Sequence, residues 1–382
     1  MAANSAGAAE TGPPQPSRTE QQILYEVGQA IEKEAYRKAE KQLTKRIKKH
    51  EGKTDYRLFF QLGNIYSLQG HAQKALSAYK KAVSRCNRDP ALWQNMGKAC
   101  HDLGRFSCAG KHMERAYRLQ EKKKPDLLYQ AAGCRLMAKE TESAYQLLKE
   151  LCAKDDAEVR PEWLNSLAHA CMELEKNPEA EQAIRCLLHR QPDAPRWWKM
   201  MANFHIKSEA YNKAAAALKI HNQLVPPKKE DVIRLGDLYM AAGAPLKAAE
   251  QYEAALQWTQ SSEHFKRIAS AYLAAHRPEK AAAILERAVG QAPSARLWRM
   301  LGTIRYNQDK PDLAYRAFKK SHRIDPMGGR AVLMMGYSAL KSGNKQEAIA
   351  AFKNASAFKS QRNTAIRGLE VIRASNSHQE KN

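Results

Sequence analysis

Apolar side chains recur along this chain at i, i+3, i+4 and i+7, in short segments separated by polar breaks. That spacing places one buried stripe on each of many helices. A second pattern, of small residues, lies over the first. Ala75, Ala109, Ala144, Ala180, Ala214, Ala248, Ala281, Ala314 and Ala348 follow one another at intervals of 33 to 36 residues. A parallel series, Gly63, Gly97, Gly133, Ala168, Ala202, Gly236, Ala269, Gly302 and Gly336, precedes it by 12 positions, or by 11 at Gly133. Small residues at a fixed offset let two helices approach closely, and a period near 34 is one helix–turn–helix unit stacked many times. The pattern predicts an all-α α-solenoid.

The same pattern divides the chain. Residues 1–20, rich in Ala, Gly, Pro and Ser, read as a disordered N-terminal tether. Residues 21–54 form a degenerate first repeat, marked by Leu24, Ala30, Ala39 and Leu43, and residues 55–360 hold nine clear units. Over 361–375, Ile366, Leu369 and Ile372 share one side of a C-terminal cap helix, which a stack needs where it ends. Residues 376–382 read as a frayed tail. Pro192, Pro226, Pro293 and Pro326 each close a unit, because proline disfavours helix in the residue before it. Longer turns are expected near residues 121–125 and 152–162, where the period stretches.

Composition narrows the function classes. The 382 residues carry 63 basic and 40 acidic side chains, a formal charge of +23, which raises an anionic partner or a generally basic surface. No apolar run is long enough to span a bilayer. The N-terminus lacks the basic and apolar regions of a secretory signal, so a cytoplasmic location is expected unless this is the mature form of an exported protein. Seven cysteines, Cys86, Cys100, Cys108, Cys134, Cys152, Cys171 and Cys186, show no CxxC spacing and read as buried thiols, not as disulfides or metal ligands. Phosphate-loop, dinucleotide, zinc-protease and serine-hydrolase motifs are all absent, so no enzyme, cofactor or metal is expected. His101 and His169 have no second ligand one helical turn away, and Trp93, Trp198 and Trp298 read as core.

The repeat resembles the tetratricopeptide repeat (TPR) family. The residues that carry the likeness include Leu235, Gly236, Tyr239, Ala248, Tyr252 and Ala255 in one unit, and Trp298, Leu301, Gly302, Ala314, Phe318 and Pro326 in another. The resemblance implies a right-handed TPR superhelix of nine to ten repeats whose first helices line a groove for a peptide or protein. Carried onto this chain, the family's groove positions hold ten basic and six acidic residues, a net charge of +4 where an even spread would give about +3. That disfavours nucleic acid, which wants clustered charge with interleaved aromatics. An RNA-binding array and an assembly factor docking through its convex face remain the alternatives.

In the last two units every charged groove position is basic: Arg296, Arg299, Arg330 and Lys341, with Tyr306 and Tyr337 among them. Guanidinium forks bind carboxylates bidentately and rings add stacking area, so an acidic or C-terminal peptide segment is expected there. Arg196, Lys199 and Asn203 lie on the groove further upstream. Lys199 and Asn203 match the first Lys and Asn of the carboxylate clamp in chaperone-binding TPRs, but Arg234 and Glu263 stand where the clamp needs Asn and Lys. Apolar anchors are expected at Phe60, Leu68, Leu127, Met137, Met172, Ile206, Ile233, Met240, Leu273, Leu333 and Leu340. A narrower resemblance, to bacterial periplasmic TPR proteins of the TonB–ExbB–ExbD system, rests on Ala242, Gly243, Ala244, Pro245, Lys247 and Ala248. It implies a periplasmic adaptor for outer-membrane transport.

Overall fold

The computed structural model describes residues 15–153 and 159–379. These divide at Pro192 into two compact units. The first holds α1 (Arg18–Glu32), α2 (Tyr36–Lys49), α3 (Tyr56–Leu68), α4 (Ala72–Val83), α5 (Pro90–Asp102) and α6 (Phe106–Leu119). It continues with α7 (Pro125–Met137), α8 (Thr141–Cys152), α9 (Pro161–Glu173) and α10 (Asn177–Arg190). The second begins with α11 (Pro195–Lys207), α12 (Tyr211–Leu224), α13 (Lys229–Ala241), α14 (Pro245–Ala254) and α15 (Ser262–Ala274). It ends with α16 (Pro278–Gln291), α17 (Ala295–Asn307), α18 (Pro311–Ile324), α19 (Gly329–Lys341), α20 (Lys345–Ser356) and α21 (Arg362–Gln379). Each odd-numbered helix from α1 to α19 pairs with its successor, which makes ten hairpins among the described residues.

The ten hairpin turns share one geometry. Each places a single residue in the left-handed region: Glu34, Gly70, Gly104, Lys139, Glu175, Glu209, Gly243, His276, Asp309 and Gly343. The next residue's N–H then reaches back to the first helix, as in Arg105 to the Cys100 carbonyl and Ala244 to the Tyr239 carbonyl, both 2.8 Å. This closure satisfies carbonyls that a helix end leaves open, and it sends the chain straight into the second helix. Proline opens many helices at a position where its missing N–H costs nothing, as at Pro90, Pro278 and Pro311.

Inside the hairpins the small residue of the first helix faces the residue sixteen positions later. A Cβ added to Gly63 would sit 2.3 Å from the Tyr79 ring. The same atom would meet Met113 at 2.7 Å from Gly97, Tyr252 at 2.5 Å from Gly236, Phe318 at 2.7 Å from Gly302 and Phe352 at 2.6 Å from Gly336. Where the small residue is Ala168, Ala202 or Ala269, the residue sixteen on is Ile184, Leu218 or Leu285, all buried. Glycine goes with a ring or Met and alanine with a branched aliphatic, so the pair conserves volume at close packing.

This geometry corrects one rung of the sequence pattern. Gly133 is half-exposed, and an added Cβ there would meet nothing within 4 Å. The packed small residue is Ala132, fully buried, 12 before Ala144 and 16 before the buried Leu148. The 11-residue spacing at Gly133 therefore belongs to a neighbouring position, and the period does not slip.

Residues 1–14 of the tether lie outside the described residues. Ser17 to Glu20, placed in that tether by composition, instead start α1 with a capping box: the Ser17 N–H donates to Glu20 at 3.1 Å while Ser17 Oγ accepts the Glu20 N–H. Burial raises the Glu20 carboxyl, but hydrogen bonds from Ser17 and from the Asp55 N–H, with Arg46 nearby, hold it below the usual range. Of the long turn expected over 152–162, residues 154–158 lie outside the described residues. The terminal helix expected over 361–375 runs to Gln379, and residues 380–382 lie outside the described residues. Ala365 and Ile372 bury against Phe352 and Val332 of the last hairpin, closing the stack's end.

Candidate functional site

In the second unit the first helices of successive hairpins are laced together by polar pairs about one repeat apart. Lys199 of α11 meets Asp231 of α13 at 2.9 Å, and Arg234 of α13 donates to Asn203 of α11 at 3.1 Å. Arg267 of α15 meets Asp237 of α13 at 2.8 Å, and Arg296 of α17 approaches Glu263 of α15 at 3.8 Å. Lys341 of α19 pairs with Asp309, in the turn after α17, at 2.8 Å. These contacts bring α11, α13, α15, α17 and α19 onto one face of this unit and put their polar residues in register. Tyr252 ties the lacing to the core, because its ring fills the space beside Gly236 and its hydroxyl donates to Asp237 at 2.7 Å.

Of the predicted site residues, Lys199, Asn203, Arg296 and Lys341 take part in this lacing. Lys199 is held by Asp231, itself nearly buried and 3.9 Å from His221. Asn203 is taken up by Arg234, and the Arg196 guanidinium lies 4.2 Å from the Trp197 ring. The two matches to a carboxylate clamp are thus engaged inside the protein, and the residue that breaks the clamp pattern, Arg234, is the one that occupies Asn203. Arg296 reaches Glu263, whose carboxyl is held low first by the hydrogen bond from Lys266 and then by Arg296 and Arg267. The Lys341 ammonium is held above its ordinary range by the hydrogen bond to Asp309, and it lies 4.9 Å from the Tyr306 ring centre.

Two cations differ from the rest. Arg299 is half-exposed and Arg330 is exposed, and among the described residues neither forms an ion pair. Acid reaches the flanks of this patch from outside its groove positions, Glu263 from the preceding hairpin and Asp309 from the turn after α17. Tyr337 is half-buried and packs edge-on against Phe352 at 5.1 Å, beside the terminal core.

The apolar anchors also divide. Leu68, Met137 and Leu273 are exposed, at 56%, 54% and 37%, whereas Leu127 and Leu333 are core. Trp93, Trp198 and Trp298 are half-buried, and the buried indoles are Trp163 and Trp197. Trp298 lines a cavity of about 270 Å³ with Leu301, Leu313 and Arg316, beneath the Lys320 ammonium at 4.4 Å. The partners Asp231, Arg234 and Asp309 were missed by reading charge position by position. Pairing opposite polar types 30 to 33 residues apart would have found most of them.

The cysteines are not uniform. Cys86, Cys100, Cys134 and Cys171 are buried as expected, but Cys108, Cys152 and Cys186 are half-buried. In the first unit, Cys100 of α5 comes together with Cys108 and His112 of α6, their donor atoms all within 4.8 Å of one another. The signal was present as Cys108 and His112 one helical turn apart, which a search for CxxC or for paired histidines passes over. No described helix is long and apolar enough to cross a membrane.

Tetratricopeptide-repeat profiles match residues 56–89, which hold α3 and α4, and residues 266–328, which run from within α15 past the end of α18. These matches identify no catalytic family. No curated protein sequence matches the chain. Similar solved structures include MamA, 23% identical over 44% of this chain and 94% of that one, with a TM-score of 0.38. YrrB, titled a TPR protein with an unusual peptide-binding site, is 17% identical over 49% of this chain and 98% of its own, at 0.39. Yeast Tom70 is 13% identical over 95% and 96%, at 0.34. The chain carries tetratricopeptide repeats, set in an all-α array of helical hairpins closed by a terminal helix.

Proposed function

We propose that this protein is a non-enzymatic scaffold whose second unit binds an acidic, extended segment of a protein partner on its first-helix face. The observation that carries this is the contrast within the face. Lys199, Arg267, Arg296 and Lys341 are committed to carboxylates of the chain, whereas Arg299 and Arg330 keep their guanidinium forks for a ligand. A carboxylate gains most from a donor that no internal partner holds. Leu273, exposed on α15, offers apolar contact beside the charged pair of hairpins. Peptide recognition of this kind takes affinity from apolar contact and register from polar side chains.

The test is fluorescence anisotropy of a labelled acidic peptide ending in a free carboxylate, with its amidated form alongside. Reversing both Arg299→Glu and Arg330→Glu is expected to weaken binding by about 100-fold or more, since each charged hydrogen bond contributes about 1.5–3 kcal/mol. The melting temperature should stay within a few degrees. Unchanged affinity would end the proposal. A loss seen with the free-carboxylate peptide but not with the amidated one would assign the arginines to the terminal carboxylate.

The finer reading, an adaptor beside a TonB-type motor in the periplasm, rests on the run from Ala242 to Ala248. Gly243 there has φ +71° and Pro245 opens α14. Those are the residue types any such turn favours, so they report turn chemistry as well as kinship. Capture of TonB, ExbB or ExbD by the full chain would support that reading, and their absence from the captured set would remove it.

A further inference from the structure

The hairpin of α5 and α6 in the first unit contains a cluster that the peptide face does not use. Cys108 and His112 are one turn apart on α6, and Cys100 faces them from the last turn of α5. Their two sulfurs and one imidazole nitrogen lie within 4.8 Å of one another. The turn between them is tightly closed: the Arg105 N–H donates to the Cys100 carbonyl at 2.8 Å, and Gly104 takes the left-handed conformation. The donors are therefore held on two helices whose separation is fixed. We propose that Cys100, Cys108 and His112 form a three-donor site for a thiophilic d10 metal ion, Cu+ in preference to Zn2+.

Four features support this assignment. The donor set is soft, two thiolates and an imidazole, which selects such ions over Mg2+ or Ca2+. The His112 ring packs at a 45° tilt against Trp93, 5.3 Å between ring centres, which restrains its orientation. Cys108 and His112 stand at i and i+4 on α6, so one face of that helix presents both donors. A route in exists, because Cys108 and His112 line an open cavity of about 670 Å³ with Phe106 and Lys111, while Cys100 lies fully buried behind them.

Charge decides between the ions. Cysteine ligates as the thiolate, so the ion displaces a proton from each cysteine it binds. Two thiolates with Cu+ leave one net negative charge, which Arg105 and Lys80 offset. Two thiolates with Zn2+ leave none, and a zinc ion would also want a fourth ligand from outside the cluster. A built-in control is available. Cys171 occupies the same repeat position as Cys100 and is equally buried, but Glu179 and Ala183 stand where Cys108 and His112 stand.

The test uses the full-length protein, reduced and handled anaerobically. Cu+ is titrated in competition with bathocuproine disulfonate, and Zn2+ in competition with a chromogenic chelator. One equivalent of Cu+ is expected, held more tightly than Zn2+ is, with proton release on binding. Cys108→Ser should lower the affinity by about 100-fold or more and His112→Gln by about tenfold, whereas Cys171→Ser should leave it unchanged. Cys108 and His112 are half-buried, so their variants should keep the native circular dichroism and melt. Co2+ substitution should give thiolate charge-transfer absorption that Cys108→Ser removes. Failure to retain one equivalent of either ion, or retention undiminished in Cys108→Ser, would overturn the site. Tighter Zn2+ than Cu+ at the same three residues would overturn the preference stated for Cu+.

Discussion

The two ends of the second unit present similar cations on their first helices and use them differently. At the α11–α13 end, Lys199 closes onto Asp231 and Arg234 onto Asn203, while Tyr252 links Asp237 to the core beside Gly236. At the α17–α19 end the equivalent ring is Phe318, packed beside Gly302 at the same offset but without a hydroxyl. The residue after Gly302 is Thr303, whose hydroxyl turns back to the Arg299 carbonyl at 3.0 Å. Arg299 and Arg330 are left without carboxylates. One end pairs Lys199 and Arg234 across its hairpins, whereas the other pairs Arg296 and Lys341 but leaves Arg299 and Arg330 without an ion pair. A cation's contribution to binding depends on whether the fold has already supplied its counter-charge.

The strongest way to break the contrast, after charge reversal at Arg299 and Arg330, is steric. Gly236→Ala should drive a methyl into the Tyr252 ring and cost about 2–3 kcal/mol, the upper range for overpacking. Chemical denaturation would measure it, and Tyr252→Leu in the same chain should recover part of the loss, since Ala with Leu is the pairing other hairpins use. No recovery would mean that the volume rule is not what fixes these hairpins.

A smaller effect separates the cations themselves. Lys199→Ala leaves the nearly buried Asp231 without its ammonium and should cost about 1–2 kcal/mol, between the values for exposed and buried pairs. Arg299→Ala should cost less than about 0.5 kcal/mol, as a surface change away from packed features does. Equal costs at the two positions would erase the comparison.

Acid should weaken the unit through His264 on α15, between its two ends. Burial holds this imidazole below its ordinary 6.5 despite its bond to the Tyr252 carbonyl at 2.7 Å. The folded state therefore binds fewer protons than the unfolded state as pH drops. Its stabilising contribution is complete above pH 6.5 and is lost as pH falls below that, through the lowered folded value. Melting temperatures from pH 7.5 to 5 should decline, and His264→Asn should flatten the decline.

The smallest change concerns the turns. Glu209 holds φ +55°, where a side chain is disfavoured and glycine is not. Glu209→Gly should stabilise by about 0.5–1 kcal/mol, whereas Gly243→Glu should destabilise by about as much. Thermal melts of the two variants would check the pair.

Periodicity alone determined the helical-hairpin architecture, because a stripe at helical spacing and a small residue at fixed offset are local consequences of helix geometry. It determined the breaks as well, through Pro192, Pro226, Pro293 and Pro326, each just beyond a helix end. Even the choice of glycine or alanine on a rung is readable once its partner sixteen residues on is known. What only the tertiary structure decided is which of two adjacent small residues packs, as with Ala132 over Gly133, because one position around a helix turns a side chain by about 100°. It alone decided which cations are spent, since Asp231, Glu263 and Asp309 reach their partners across neighbouring hairpins. It alone brought Cys100 to Cys108 and His112, for the same reason: charge and ligand chemistry depend on distances of a few ångströms between elements, and sequence spacing fixes such distances only within one helix.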